Sequence, residues 1–116
     1  MRAASSFAAV YLYTGCCDMR HGIDRLVARI EAEMGRAVIG GGVYVFVSRS
    51  RKKIKLLYWD NDGYALWLKR LEAGTFQIRD EGNYEEVTGV DLELLLSGMN
   101  LSRIKLRRSA KENCYS

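Results

Sequence analysis

Apolar residues follow two different rhythms along this chain. From residue 8 to 14 they alternate, Val10 and Leu12 to one side and Tyr11 and Tyr13 to the other, the period of a strand that Gly15 is expected to end. Ile23, Leu26, Val27, Ile30 and Met34 then recur at helical spacing, with Arg25, Arg29, Glu31 and Glu33 off the stripe. Asp18 is the expected N-cap of this helix and Gly35 its stop. Gly40-Gly41-Gly42 makes a turn. Beyond it two apolar runs, Val43–Val47 and Ile54–Trp59, flank the basic segment Arg49–Lys53. So short a connection predicts an antiparallel pair, and runs apolar on both faces apart from Lys55 predict a central or covered one.

Tyr64, Trp67, Leu68 and Leu71 repeat at i, i+3, i+4 and i+7, which reads as a short helix over 63–73, capped by Asp62 and stopped by Gly74. A strand returning from the Asp60–Gly63 turn is the competing reading. Thr75–Arg79 is expected to be a short strand, and 80–86 a polar loop. Thr88 and Asp91 match a capping box ahead of a helix carrying Leu92, Leu95, Leu96 and Met99, ended by Gly98. These elements predict a single α+β domain over 1–101, a small antiparallel sheet with two or three helices. The basic tail, 102–116, has mixed periodicity and is expected to be loosely ordered.

Composition narrows the function classes. No apolar run reaches the length of a membrane span, and the apolar run at the N-terminus is too short to predict a signal peptide. Cys16 and Cys17 are adjacent and poorly placed to bridge, and Cys114 stands apart in the tail, so no disulfide framework is expected and a cytoplasmic location fits best. With His21 the single histidine and no CxxC spacing, a structural zinc site is not expected. The net charge of +4 is modest, but Arg49, Arg51, Lys52, Lys53 and Lys55 fall within seven residues, while Asp80, Glu81, Glu85, Glu86, Asp91 and Glu93 cluster further on. Such segregation offers a positive face to a polyanion; a solvated hairpin tip is the plain alternative.

The candidate chemistry is thin. Asp60-Asn61-Asp62-Gly63 opens like a calcium loop, but Leu71 stands where the bidentate glutamate is required, so a turn is expected. Asp18, Asp60, Asp62 and Glu72 are the carboxylates from which a two-metal nuclease centre would have to be built, though nothing in their spacing demands one. Cys16 or Cys17 with His21 lacks the third group that would orient a nucleophile and base. The glycine triplet is followed by no GK[ST], so no phosphate loop is read there. Trp59 and Trp67 read as core or interface aromatics.

Two ordered motifs carry a resemblance. Asp18-Met19-Arg20-His21-Gly22-Ile23-Asp24-Arg25-Leu26 is similar to a DMRKGxDGL signature, and the stretch from Val43 through Arg51, Lys55, Tyr58-Trp59-Asp60, Asp62-Gly63, Leu66-Trp67, Lys69–Glu72, Gly74 and Phe76 to a longer YWDGDGFALWYKRLExGRF-type block. Thr88–Gly98 resembles a closing T…LxxLLxG element. Together, over roughly 8–101, they resemble the small accessory protein, called TnpB, of the IS sixty-six type of bacterial insertion sequence. His21, Arg25, Ser50, Asn61 and Leu68 depart from the pattern, and the tail has no counterpart in it.

The resemblance implies a role in DNA transposition beside a separate, larger transposase, with no catalytic residue of its own. On this reading the protein is a non-enzymatic accessory needing no cofactor and no metal, and its partners are DNA, the transposase of the same element, or both. A metal-dependent nuclease acting on transposon ends is the alternative, and a pure protein adaptor a third. Arg49, Arg51, Lys52, Lys53, Lys55, Lys69 and Arg70 are the expected nucleic-acid contacts. Trp59 and Trp67, flanked by Lys69 and Arg70, are the expected partner contacts, to the transposase or in self-association.

Overall fold

Every residue of Val43–Ser48 is buried, and the sheet is built outward from this strand. The computed structural model describes residues 4–78 and 81–97; the expected tail, Arg79, Gly98 and Met99 lie outside the described residues. Five strands, β1 (Val10–Cys17), β2 (Val43–Ser48), β3 (Lys53–Asp60), β4 (Gly63–Arg70) and β5 (Tyr84–Val87), lie in the order β4-β3-β2-β1-β5. Helix α1 (Ile23–Met34) joins β1 to β2, and α2 (Gly89–Leu96) follows β5. The expected single α+β domain with two helices is what forms. One pair departs from the antiparallel rule: β1 and β2 run parallel, because the chain between them crosses the sheet through α1.

The strand period divides the core into two layers. Val43, Val45 and Val47 meet Ile54, Leu56, Val10 and Leu12 on one face, where Leu92 and Leu95 of α2 and Phe76 cover them. Tyr44 and Phe46 point the other way and meet Leu26 and Ile30 of α1, with Tyr11 and Leu57. Helix α1 begins at Gly22 with no side-chain cap. A cap contributes about 1 kcal/mol. Leu26 and Ile30, both 0% exposed, contribute roughly 1.5–3 kcal/mol each, so packing rather than capping holds α1. The eight-residue α2 has the predicted capping box: Asp91 N–H donates to Thr88 Oγ1 at 3.0 Å, and Thr88 N–H to Asp91 Oδ2 at 3.1 Å.

Several local expectations are corrected. Residues 63–70 form strand β4 rather than the preferred helix. Asp60 pairs with Gly63 across a two-residue turn in which Asn61 takes a left-handed φ of 61°, and this return locks β4 against β3 from end to end. The helical spacing of Tyr64, Trp67 and Leu68 is overridden by pairing that uses both faces of the run. Residues 84–87 form β5 rather than loop, because Val87 is buried in the core and the backbone pairs with β1. Asp18 does not cap α1; its carboxylate takes Arg20 instead. Gly15 does not end β1, which runs on to Cys17 with a register shift between Leu12 and Cys16. A Cβ at Gly15 would stand 2.7 Å from the Tyr13 ring, so any side chain at this irregularity would have to displace that ring.

The α1 face also stores two hydroxyls that resist ionisation. Burial pushes the Tyr44 pKa up, and burial with the bond donated to Glu33 at 2.6 Å does the same for Tyr84. Both must stay protonated in the folded state. Their contribution is complete below the unfolded value of about 10 and is lost as pH rises beyond it. The thermal midpoint is therefore expected to fall above about pH 10, and Tyr84→Phe, followed by calorimetry across that range, to make the fall shallower.

Candidate functional site

Because β1 and β2 are parallel, both deliver their carboxyl ends to one end of the sheet, where Cys17 pairs with Ser48. The loop Asp18–Gly22 leaves β1 there and the Arg49–Lys52 turn leaves β2. β4 also ends there, with Arg70 opposite Lys53. Between loop and turn lies a crevice of about 610 Å³, lined by Asp18, Met19 and His21 from the loop, Ser48, Arg49, Ser50 and Lys53 from the hairpin, and Arg29 from α1. Carboxyl ends of parallel strands commonly frame binding crevices, since the departing connections diverge. Parts of two motifs 30 residues apart in sequence thus share one wall-to-wall site.

The basic turn is held mainly by its backbone, which leaves the Arg49 and Lys52 side chains to solvent. Arg51 N–H donates to Ser48 O at 2.9 Å, and Lys53 N–H to the Ser48 hydroxyl at 3.1 Å. Arg51 takes a left-handed φ of 64° and its carbonyl accepts from Phe76 N–H at 2.6 Å; Lys52 O accepts from Leu71 N–H at 2.7 Å. Arg49 and Lys52 are exposed, while Arg51 and Lys53 are half-buried.

The loop is held by charge. Arg20 grips Asp18 through Nε and Nη2, at 3.0 and 2.7 Å, and donates its N–H to the same carboxylate at 2.9 Å. These bonds hold the Asp18 carboxyl well below the usual carboxylate range. Behind the loop, the Lys55 ammonium donates to the carbonyls of Met19 at 2.6 Å and His21 at 2.8 Å. Arg29 lies 4.4 Å over the Tyr13 ring and bonds Glu33, so its cation is backed by an aromatic wall.

The seven basic residues expected at nucleic acid are therefore divided. Arg49, Arg51, Lys52, Lys53 and Arg70 gather at the basic end, Arg70 bonded to Glu72 at 3.0 Å on the surface. Lys55 does not: at 7% exposure it is spent on the loop carbonyls, because its position in β3 points it inward beside α1. Lys69 is likewise turned inward, donating to Leu96 O at the end of α2 at 2.9 Å, where a cation suits the helix C-terminus. Arg29 and Ser48 join the site although no sequence signal marked them; only the crossover of α1 brings Arg29 there.

Trp59 and Trp67, both half-buried, fall on opposite faces. Trp59 stacks edge-on with Tyr64 at 5.0 Å on the α1 face, whereas Trp67 packs into the α2 layer. Each therefore keeps a part-exposed ring, on opposite sides of the sheet.

The other candidate chemistries do not assemble. Burial pushes the Cys17 thiol up, against the needs of a nucleophile, and its Sγ donates to Asp18 O at 3.6 Å. Asp60 and Asp62 stand at the far end of the sheet from Asp18, roughly seven strand residues or about 23 Å away. Among the described residues, no three His, Cys, Asp or Glu side chains are grouped to hold a metal, and no helix is long and apolar enough to cross a membrane. What the arrangement offers is several cations and hydroxyls at one end of a rigid sheet, suited to an anion held by charge and hydrogen bonds.

A family model described as IS66 Orf2-like protein matches residues 8–106. Among curated relatives, the chain is 33% identical over 92 residues to a Sinorhizobium fredii protein titled "Uncharacterized protein y4hO", covering 78% of this chain and 80% of the relative. It is 28% identical over 91 residues to "Uncharacterized protein y4jC" of the same organism, covering 76% of each. No solved structure matches significantly.

Proposed function

The chain belongs to the IS66 Orf2-like family, accessory proteins of IS66 elements, and from that premise we propose that it serves transposition by holding DNA through the basic end of its sheet. One observation carries this reading: the loop and turn of the two ordered motifs meet there, with Arg49 and Lys52 exposed and Lys53 beside them. Cations on a rigid hairpin contact phosphates without reading bases, so binding is tolerant of sequence and driven by counterion release. The protein acts in the cytoplasm by binding rather than by catalysis. The separation of Asp60 and Asp62 from Asp18 supports this over a nuclease. The transposase of the same element is engaged through another surface, leaving the basic end to DNA.

The test is a salt titration of duplex binding. Arg49→Gln, Lys52→Gln and Lys53→Gln together are expected to lower the slope of log affinity against log salt by about 2.7, at about 0.9 per phosphate contact. The loss should be equal on element ends and on unrelated DNA. An unchanged slope in a folded triple variant refutes DNA contact at this end and favours the protein adaptor.

A further inference from the structure

Strand β4 forms one edge of the sheet, and among the described residues no strand lies beyond it. Its composition is unusual for an edge. Tyr64, Ala65, Leu66, Trp67 and Leu68 are five consecutive apolar residues, half-buried or exposed, in an eight-residue strand with no proline and an unbroken register to β3. Leu68 is 54% exposed. Such an edge is a template for another strand unless it is blunted. The opposite edge is blunted: β5 is four residues long and carries Glu85 and Glu86. Lys69 does not guard β4, because its ammonium is tied to α2.

The free side of β4 is specified by its ladder. Leu71 N–H points inward to Lys52 O, so odd-numbered residues bond β3 and the N–H and C=O groups of Tyr64, Leu66, Leu68 and Arg70 point outward. A symmetric antiparallel partner must match these even-numbered positions to each other. Centring the two-fold axis on Leu66 sets Leu66 against Leu66 of the second copy, Tyr64 against Leu68, and Asp62 against Arg70. Shifting the axis to Trp67 sets Asp62 against Glu72, like against like. The acidic turn at one end of β4 and the arginine at its other end therefore select the first register by charge.

We propose that two copies of this chain pair through β4, in the antiparallel register centred on Leu66, to form a continuous ten-stranded sheet. The pairing covers Leu68 with the Tyr64 ring of the second copy and brings Asp62 to Arg70 twice. It draws Arg70, which also holds Glu72, into the seam and leaves Arg49, Lys52 and Lys53 of both copies free, facing in opposite directions, so it stands whether or not those three hold DNA.

Sedimentation without DNA tests the proposal. Wild-type protein is expected to pass from monomer to dimer between about 1 and about 200 µM. Leu68→Lys, at an exposed site whose change spares the core, should weaken association about tenfold, since each dimer loses two apolar cross-strand pairs. Asp62→Arg and Arg70→Asp should each weaken it severalfold, and the double variant should restore it. A wild-type chain that stays monomeric to about 200 µM overturns the proposal and leaves the edge to a strand of a different protein. Unchanged association in Leu68→Lys, or a double variant no better than the singles, overturns the β4 pairing or its register.

Discussion

Lys55→Met is expected to destabilise the fold by roughly 2–3 kcal/mol while leaving the charge of the exposed tip unchanged. The ammonium makes two charge-assisted bonds, to Met19 O and His21 O, in a position 7% exposed. Methionine keeps the packing of the stem but leaves both carbonyls without their donor. The loss should appear first as faster amide exchange in the Asp18–Gly22 loop, ahead of global unfolding. Lys55→Arg should not rescue it, because a planar fork does not fit a site shaped for a point donor. Denaturant midpoints and hydrogen exchange together check this. A variant as stable as wild type, with the loop equally protected, would mean that the loop is held by the Asp18–Arg20 pair alone.

Phe76→Ala should have the larger effect, about 3–5 kcal/mol. The ring is 1% exposed in the layer that contains Ile54, Leu56 and Leu92, and its own N–H donates to the Arg51 carbonyl at 2.6 Å. Truncation opens a cavity beneath the hairpin that carries the basic turn. Against the 5–15 kcal/mol typical of a domain, a loss of this size brings the fold near its margin. Phe76→Leu, which keeps most of the volume, should cost far less. Urea unfolding at constant m-value is the measurement, and a cost below about 1 kcal/mol for Phe76→Ala would place the ring outside the core.

Where local patterning and tertiary pairing agreed, the elements were legible from residue order alone. Val10 and Leu12 alternate with Tyr11 and Tyr13, the two apolar runs around Arg49–Lys53 pair as foreseen, α1 follows its stripe, and Thr88 with Asp91 caps α2. The basic tip was legible for the same reason: a short polar link between two buried strands has nowhere to go but the surface. Residues whose fate depends on a distant neighbour were not legible. Tyr64–Leu68 satisfies a helical period and a strand equally, and only pairing along the whole of β3 decides it. Glu85 and Glu86 hide a strand that exists because β1 offers an unpaired edge. Lys55 and Lys69 look like their basic neighbours, yet strand alternation turns them toward carbonyls contributed by residues 36 and 27 positions away. Residue order by itself determined the strand and helix inventory of the strongly periodic segments, the charge segregation and the family. Only the tertiary structure decided which cations face solvent, because a side chain's face is set by register, and register is a property of two strands.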